Sequence, residues 1–321
     1  MEQKGHSFTI VARQKDVTFQ ILKSFGTPFI SRGKGGSNVF TKLLYLPKAI
    51  IHLVLVAKRN RTDLFLSFAS SYAAIASAIC QRPHIALDDT EHASLEIALY
   101  SRFSDVIITP RDYGRDLGST HVKYHTYMEL MYLHPEYFEP ALDVRRVLGL
   151  NPRDRFAIVR LVNWTASHDV GHNTITISDK MSVIKYLAEQ VTVFVSAEGK
   201  FPEELNAHKI PDHPALFHDM LRAADLYLGE GATAASEAAI LGTPAIYINE
   251  LSAGAIDSKK PSGMIFQSTD SHEICNQIEI FLAMPPAELQ DRVDIMLDGT
   301  VDLTAELVDI VSDNAPSWRK S

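Results

Sequence analysis

Short apolar runs alternate with longer segments of helical periodicity along almost the whole chain, and no other feature limits the possible folds as strongly. The runs fall at 7–12, 63–68, 84–87 and 105–109 in the first part, and at 156–162, 191–196, 225–228 and 244–248 in the second. Between them lie helical patterns at 16–23, 39–58, 71–80, from 90 onward, 178–190, 219–224 and 233–241. Three more close the chain at 271–283, 286–297 and 302–312. Strands alternating with helices of this kind predict parallel sheets covered on both faces. At 321 residues the chain exceeds the size of one ordinary core, so two domains are expected. The expected fold is α/β with two doubly wound, Rossmann-like lobes. The loop-rich stretch 110–152 holds the boundary, near residue 137, giving domains 1–137 and 138–321.

Composition narrows the class without naming it. A hydrophobic fraction of 46% with 22% charged residues is ordinary for a globular chain. Cys80 and Cys275 stand far apart in no metal-ligand spacing, which predicts reduced thiols and a cytoplasmic setting. The apolar stretch from Leu43 to Ala57 is interrupted by Pro47, Lys48 and His52, so no membrane span is expected. The net charge of −8 is uneven: residues 1–61 carry eleven Lys and Arg against Glu2 and Asp16. No motif for nucleic acid accompanies that basic segment, and no nucleic-acid partner is expected. A solvated face explains it, with peripheral contact to the inner, anionic membrane face as the other reading.

The strongest local signal is Leu226-Tyr227-Leu228-Gly229-Glu230-Gly231-Ala232-Thr233-Ala234-Ala235-Ser236-Glu237. An apolar run enters two glycines and leaves into a helix of small residues. Glycine permits close backbone approach, and the first helical turn presents unpaired N–H groups to phosphate. Thr233 adds a hydroxyl, and Glu237 lies one turn deeper on the same face, suited to accept two ribose hydroxyls. Two other readings compete: an ordinary strand-to-helix turn, or a dinucleotide fingerprint formed by Gly229-x-Gly231-x-x-Ala234 with Glu250 downstream.

The run Gly231-Ala232-Thr233-x-x-Ser236-Glu237-Ala238-Ala239-x-x-Gly242-x-Pro244-Ala245 resembles the donor-sugar motif of B-type glycosyltransferases. It is similar to a segment of the peptidoglycan N-acetylglucosaminyltransferases, and more loosely to one of the UDP-N-acetylglucosamine 2-epimerases. Almost the whole chain resembles a prokaryotic family of unknown function described as predicted glycosyltransferases. The segments that carry this are Ala12-Arg13, Asp88-Asp89-Thr90-Glu91-His92-Ala93, Tyr132-Leu133-His134-Pro135 and Trp164-x-Ala166-Ser167-His168-Asp169. The resemblance implies that Glu237 holds the ribose and that 229–233 hold the diphosphate. Relatives often carry Gly-Gly-Thr where this chain has Gly231-Ala232-Thr233. They also begin with a strand, a glycine-containing loop and a helix before the segment equivalent to Gly5-His6, so a first lobe lacking its central strand, and less stable for it, is expected.

Two polar clusters complete the candidate site. Asp88-Asp89-Thr90-Glu91-His92 follows a short strand and opens a helix, where an acid could deprotonate an acceptor hydroxyl. Glu91, Asp89 and His92 are the catalytic candidates, with helix capping or metal binding as the competing readings. Arg160, Trp164, Ser167, His168 and Asp169 follow the first strand of the second lobe and are read as donor contacts, with Gly229, Glu230, Gly231, Ala232, Thr233 and Glu237. Tyr124, His125, Glu129 and His218 are further positions read either as cleft-lining or as packing and capping.

The expectation is a hexosyltransferase-like glycosyltransferase of surface or cell-wall polysaccharide assembly. It would take a nucleotide-sugar donor and a sugar or lipid-linked acceptor, with no cofactor and no metal. Its rivals are a UDP-N-acetylglucosamine 2-epimerase-like enzyme, an NAD-dependent enzyme, and a non-catalytic protein that binds a sugar nucleotide.

Overall fold

A computed structural model describes residues 1–14, 18–35, 39–140, 143–162, 175–197, 201–211, 214–251 and 254–318, with side chains except at 39–44 and 314–318. The chain forms two compact units, Met1–Met128 with Val301–Ser321, and Glu129–Thr300. The sequence-derived boundary near 137 thus stands beside a structural division after Met128. The C-terminal helix Leu303–Trp318 groups with the first unit. It is held there by Val301 N–H to the His125 carbonyl at 2.9 Å and by the Thr126 hydroxyl to the Val301 carbonyl at 2.9 Å.

In the first unit, β3 (Phe65–Phe68), β4 (His84–Leu87), β5 (Val106–Pro110) and β6 (His121–Tyr124) form a parallel sheet in that order. β1 (Val11–Ala12) and β2 (Ile30–Ser31) form a separate parallel pair. The run 7–12, expected as a buried strand, is a strand only over its last two residues, and Phe8 is 50% exposed. A two-stranded pair has no second neighbour to bury such a run. The strand at His121–Tyr124 falls in a stretch read from sequence as loop. Its residues are half-buried or exposed, as on a sheet edge, so the apolar pattern is faint.

Helix Ser71–Cys80 forms because Ser70 accepts the Ala73 N–H as N-cap and alanines fill its interior. It packs with Val39–Asn60, whose buried Ile50 and Ala57 meet Phe65 and Ala76. Ile51 and Leu55 of that long helix face solvent. Among the described residues no helix is long and apolar enough to cross a membrane.

His84 is fully buried between the Ser67 hydroxyl at 2.9 Å and the Ser104 hydroxyl at 2.8 Å. Burial lowers its pKa from 6.5 to about 4. The unfolded chain therefore takes up the proton first. Stability from this group is complete above about pH 6.5 and falls as the pH drops towards 4, by about 3 kcal/mol in all. Urea unfolding followed from pH 7 to pH 4 should show that decline. A His84→Gln variant, less stable at pH 7, should show a flatter one.

In the second unit, β7 (Phe156–Leu161), β8 (Thr192–Ala197), β9 (Leu226–Gly229), β10 (Ala245–Tyr247) and β11 (Ile265–Gln267) are all parallel, in the order β11-β10-β9-β7-β8. Alternation sets the faces. Ala157, Val159, Leu161, Leu226 and Leu228 join one core cluster with Val183, Ile184 and Leu187 of helix Ile177–Gln190 and Ile274, Ile278 and Phe281 of helix Ser271–Ala283. Arg160, Tyr227 and Gly229 therefore belong to the opposite face. From β7 the chain goes to β8 on one side, then returns to β9 on the other. In open parallel sheets, ligands bind outside the carboxyl ends of the strands at such a reversal.

Candidate functional site

The reversal point carries Val162 after β7 and Glu230 after β9. Arg160 pairs in register with Ser196 on one side and Gly229 on the other. Gly229 is required by packing. A Cβ there would lie 2.3 Å from the Tyr227 hydroxyl oxygen and 2.9 Å from the Arg160 carbonyl oxygen. At Gly231 a Cβ would meet only a Val162 methyl, at 3.7 Å, an ordinary contact. Its backbone, φ −92° and ψ 118°, suits any residue. The packing of the described residues alone does not call for a glycine at 231.

Gly231 is the N-cap of helix Ala232–Ile240, so no side chain caps its first N–H groups. Thr233 is exposed at that turn, while 234–240 are buried. The Glu230 carboxylate is turned inward. It accepts the Val162 N–H at 2.8 Å and pairs with Lys180 Nζ at 2.5 Å, with side chains 9% and 5% exposed. This ties the turn to β7 and to helix Ile177–Gln190. The Glu230 carboxylate is therefore engaged inside the protein rather than presented at the turn.

Glu237 is 8% exposed, and its Oε1 accepts the Tyr132 hydroxyl at 2.8 Å and contacts His218 Nε2 at 3.1 Å. Its Oε2 has no hydrogen-bond partner among the described residues. His218 sits 5.5 Å, centroid to centroid, from the Tyr132 ring and 6.4 Å from Phe138. The Arg160 guanidinium lies 5.5 Å from the Phe217 ring centroid. Arg160, Glu237 and the aromatic group around His218 are thus linked through the adjacent residues Phe217 and His218. The Tyr227 hydroxyl is fully buried with no partner among the described residues. Burial pushes its pKa above the ordinary tyrosine value. A buried polar atom without a partner is costly, which marks this as a place where stability has been given up. The Ser196 hydroxyl, at the end of the adjoining strand, is likewise buried without a partner among the described residues.

Behind the helix, Glu129 accepts the Ser236 hydroxyl and pairs with Lys259 Nζ at 3.5 Å, and Lys259 is 1% exposed. Ser236, part of the donor-motif resemblance, therefore serves to lock the helix in place. Trp164, Ser167, His168 and Asp169 lie outside the described residues. Tyr132 and Lys180 were not singled out as site positions by the residue pattern. They reach the site from 105 and 50 residues away in the chain.

In the first unit, Asp88 is fully buried and its carboxylate takes the Tyr100 hydroxyl at 2.5 Å, the Tyr113 hydroxyl at 2.9 Å and the Thr90 N–H at 2.9 Å. Both tyrosine pKa values are raised, by burial first and by Asp88 next. Asp88 shapes the loop and leaves the following acids at the surface. Asp89 accepts the Thr90 hydroxyl, Glu91 accepts the Gly114 N–H at 3.0 Å, and His92 is exposed. The helix expected from Thr90 begins at Ser94, with Ala93 as an N-cap that makes no side-chain bond. Capping therefore does not explain these acids. Among the described residues no three His, Cys, Asp or Glu converge to hold a metal.

Two parallel α/β sheets of this kind make up the B-type glycosyltransferase (GT-B) fold. Solved structures of that fold match nearly the whole chain at low identity. UDP-N-acetylglucosamine 2-epimerase from Rickettsia bellii aligns with a TM-score of 0.67 and 16% identity, over 97% of this chain and 91% of that one. The UDP-GlcNAc 2-epimerase from Neisseria meningitidis, bound to UDP-GlcNAc, gives 0.62 and 12%, over 92% and 93%. MurG from Acinetobacter baumannii gives 0.57 and 14%, over 97% and 92%. Curated proteins yielded no match. The chain belongs to the family described as protein of unknown function (DUF354), whose model matches residues 1–314.

Proposed function

We propose that the protein is a glycosyltransferase that draws a sugar from a nucleoside diphosphate and acts in surface or cell-wall polysaccharide assembly. The observation that carries this is the pairing of an uncapped helix start at Gly231–Thr233 with Glu237, one turn on, whose Oε1 is held by Tyr132 and His218. The diphosphate would sit on the N–H groups of Ala232 and Thr233, near Arg160. There the positive end of the helix stabilises negative charge as the diphosphate departs. Glu237 Oε2 would accept the ribose hydroxyls. Tyr132 and His218 keep that carboxylate in one rotamer, so little entropy is lost when the nucleotide arrives. Fold neighbours support the donor class, since one was solved with UDP-GlcNAc bound. In the first unit Glu91 or Asp89 would take the acceptor proton, with His92 beside them. Burying Asp88 leaves those two as the accessible acids. The acceptor would be a sugar or a lipid-linked sugar, met in the cytoplasm or at the inner membrane face.

An epimerase reading has its own support in the 2-epimerase neighbours, which share this fold. NMR of UDP-GlcNAc incubated with the protein separates the two. A transferase leaves the donor intact until an acceptor-bearing membrane extract is added, and then releases UDP. Glu91→Gln or Asp89→Asn should cut that release by roughly 100- to 10,000-fold if the residue is the base. A C2-epimerised sugar formed without acceptor would contradict the transferase reading.

A further inference from the structure

We infer that the first unit holds a second anion site, for a phosphate group, built from Arg13, Arg32 and Lys34 where β1 and β2 end. The assignment does not rest on the donor site of the second unit. The two strands run parallel with Ala12 opposite Ser31, so Arg13 and Arg32 leave them on adjacent chains. The Arg32 N–H to the Ala12 carbonyl at 2.8 Å and the Gln14 N–H to the Gly33 carbonyl at 3.0 Å keep those chains together beyond the strands. Like charges on neighbouring strands repel, and a folded chain normally relieves this with a carboxylate. Here neither guanidinium pairs with one among the described residues, and the Nε atoms of both are buried without a partner. Lys34 follows on the next loop residue but one, exposed and likewise unpaired among the described residues.

The two arginines are also held in place. The Arg32 guanidinium lies 4.5 Å from the Tyr72 ring centroid and 5.8 Å from that of Tyr45, and the Tyr45 hydroxyl donates to the Arg32 carbonyl at 3.0 Å. The Arg13 guanidinium lies against Gly35 so closely that a Cβ there would be 2.7 Å from its Cζ and Nε. Gly33, at φ +77°, makes the left-handed turn that brings Lys34 and Gly35 back. Fixed guanidinium groups without a counter-charge among the described residues suit a phosphate oxygen pair, and a third cation favours a phosphate ester or diphosphate over a carboxylate. The positive excess of residues 1–61 would draw such a ligand in.

Inorganic pyrophosphate is the probe, with hydrogen exchange reporting where it binds. Pyrophosphate should slow exchange across residues 10–35 of the wild type, whatever it does at 229–237. Arg13→Gln should weaken that response at least 10-fold. Gly35→Ala, whose backbone tolerates alanine but whose Cβ displaces the Arg13 side chain, should weaken it similarly. Without ligand, both variants should melt no lower than about 2 °C below wild type: in Arg13→Gln lost like-charge repulsion offsets lost contacts, and in Gly35→Ala the flexible end of Arg13 can move aside. Glucose 1-phosphate and phosphatidylcholine vesicles containing phosphatidic acid then distinguish a soluble from a lipid-borne phosphate. A wild type whose 10–35 region ignores pyrophosphate would overturn the assignment. So would a response that survives both substitutions, or a large loss of ligand-free stability in both, which would make the arginines structural.

Discussion

Replacing Lys180 by methionine is expected to lower the melting temperature of the second unit by roughly 6–20 °C. The substitution removes the Lys180 ammonium from Glu230 while leaving that carboxylate buried on the Val162 amide. Breaking one side of a buried pair costs about 3–5 kcal/mol, because a buried charge loses its opposite charge without regaining water. For a unit of this size each kcal/mol corresponds to about 2–4 °C. The double variant Lys180→Met, Glu230→Gln should recover more than half of the loss, since the amide oxygen can still accept the Val162 N–H. Thermal melts of wild type, single and double variants check this. A single variant as stable as wild type would mean that Glu230 is solvated and does not anchor the turn.

The second large effect separates the two glycines of the turn. Gly229→Ala places a methyl within 2.9 Å of a backbone carbonyl and closer still to the Tyr227 hydroxyl, so strand or side chain must move. Overpacking of this sort costs roughly 1–3 kcal/mol, and the displaced turn should also lose nucleotide binding. Among the described residues Gly231→Ala meets only a methyl at 3.7 Å and should leave the melting temperature nearly unchanged. It should nevertheless weaken nucleotide binding at least 10-fold, because the new methyl occupies the face a diphosphate must approach. Melts and titrations run on both variants test the pair together. If Gly231→Ala binds as wild type does, the turn is only a strand-to-helix connection.

The contrast between these glycines shows what the sequence could and could not convey. Two glycines between an apolar run and a helix of small residues are a local pattern, and the turn was legible from it. Which glycine is demanded by packing and which is not depends on Tyr227 and Arg160 folding against position 229, and spacing does not reveal that. Glu230 read as a ligand contact because it lies within the motif. Its partner, Lys180, comes from a helix 50 residues earlier, and a buried pair of that kind leaves no local trace. Tyr132 reaches Glu237 in the same long-range way, whereas His218, much nearer in the chain, was already a candidate position whose partner the sequence did not reveal. β11, only Ile265–Gln267, was missed because three residues carry too little alternation to register. Helix Leu303–Trp318 was readable as amphipathic, but not as part of the first unit, since periodicity says which face is apolar and not what covers it. Asp88 reversed its expected company: grouped by sequence with Asp89 and Glu91, it is separated from them by two tyrosine hydroxyls that draw it into the core.

The central claim, that the second unit binds a nucleoside diphosphate between its glycine turn and Glu237, is tested most directly by calorimetric titration. UDP, GDP, CMP and NAD are each titrated into wild type and into Glu237→Ala, with melts to show that the variant is folded. One nucleoside diphosphate should bind the wild type, and the substitution should weaken it by about 10- to 100-fold, the loss of hydrogen bonds to a charged acceptor. Binding of NAD alone, or equal affinity for folded wild type and Glu237→Ala, would contradict it.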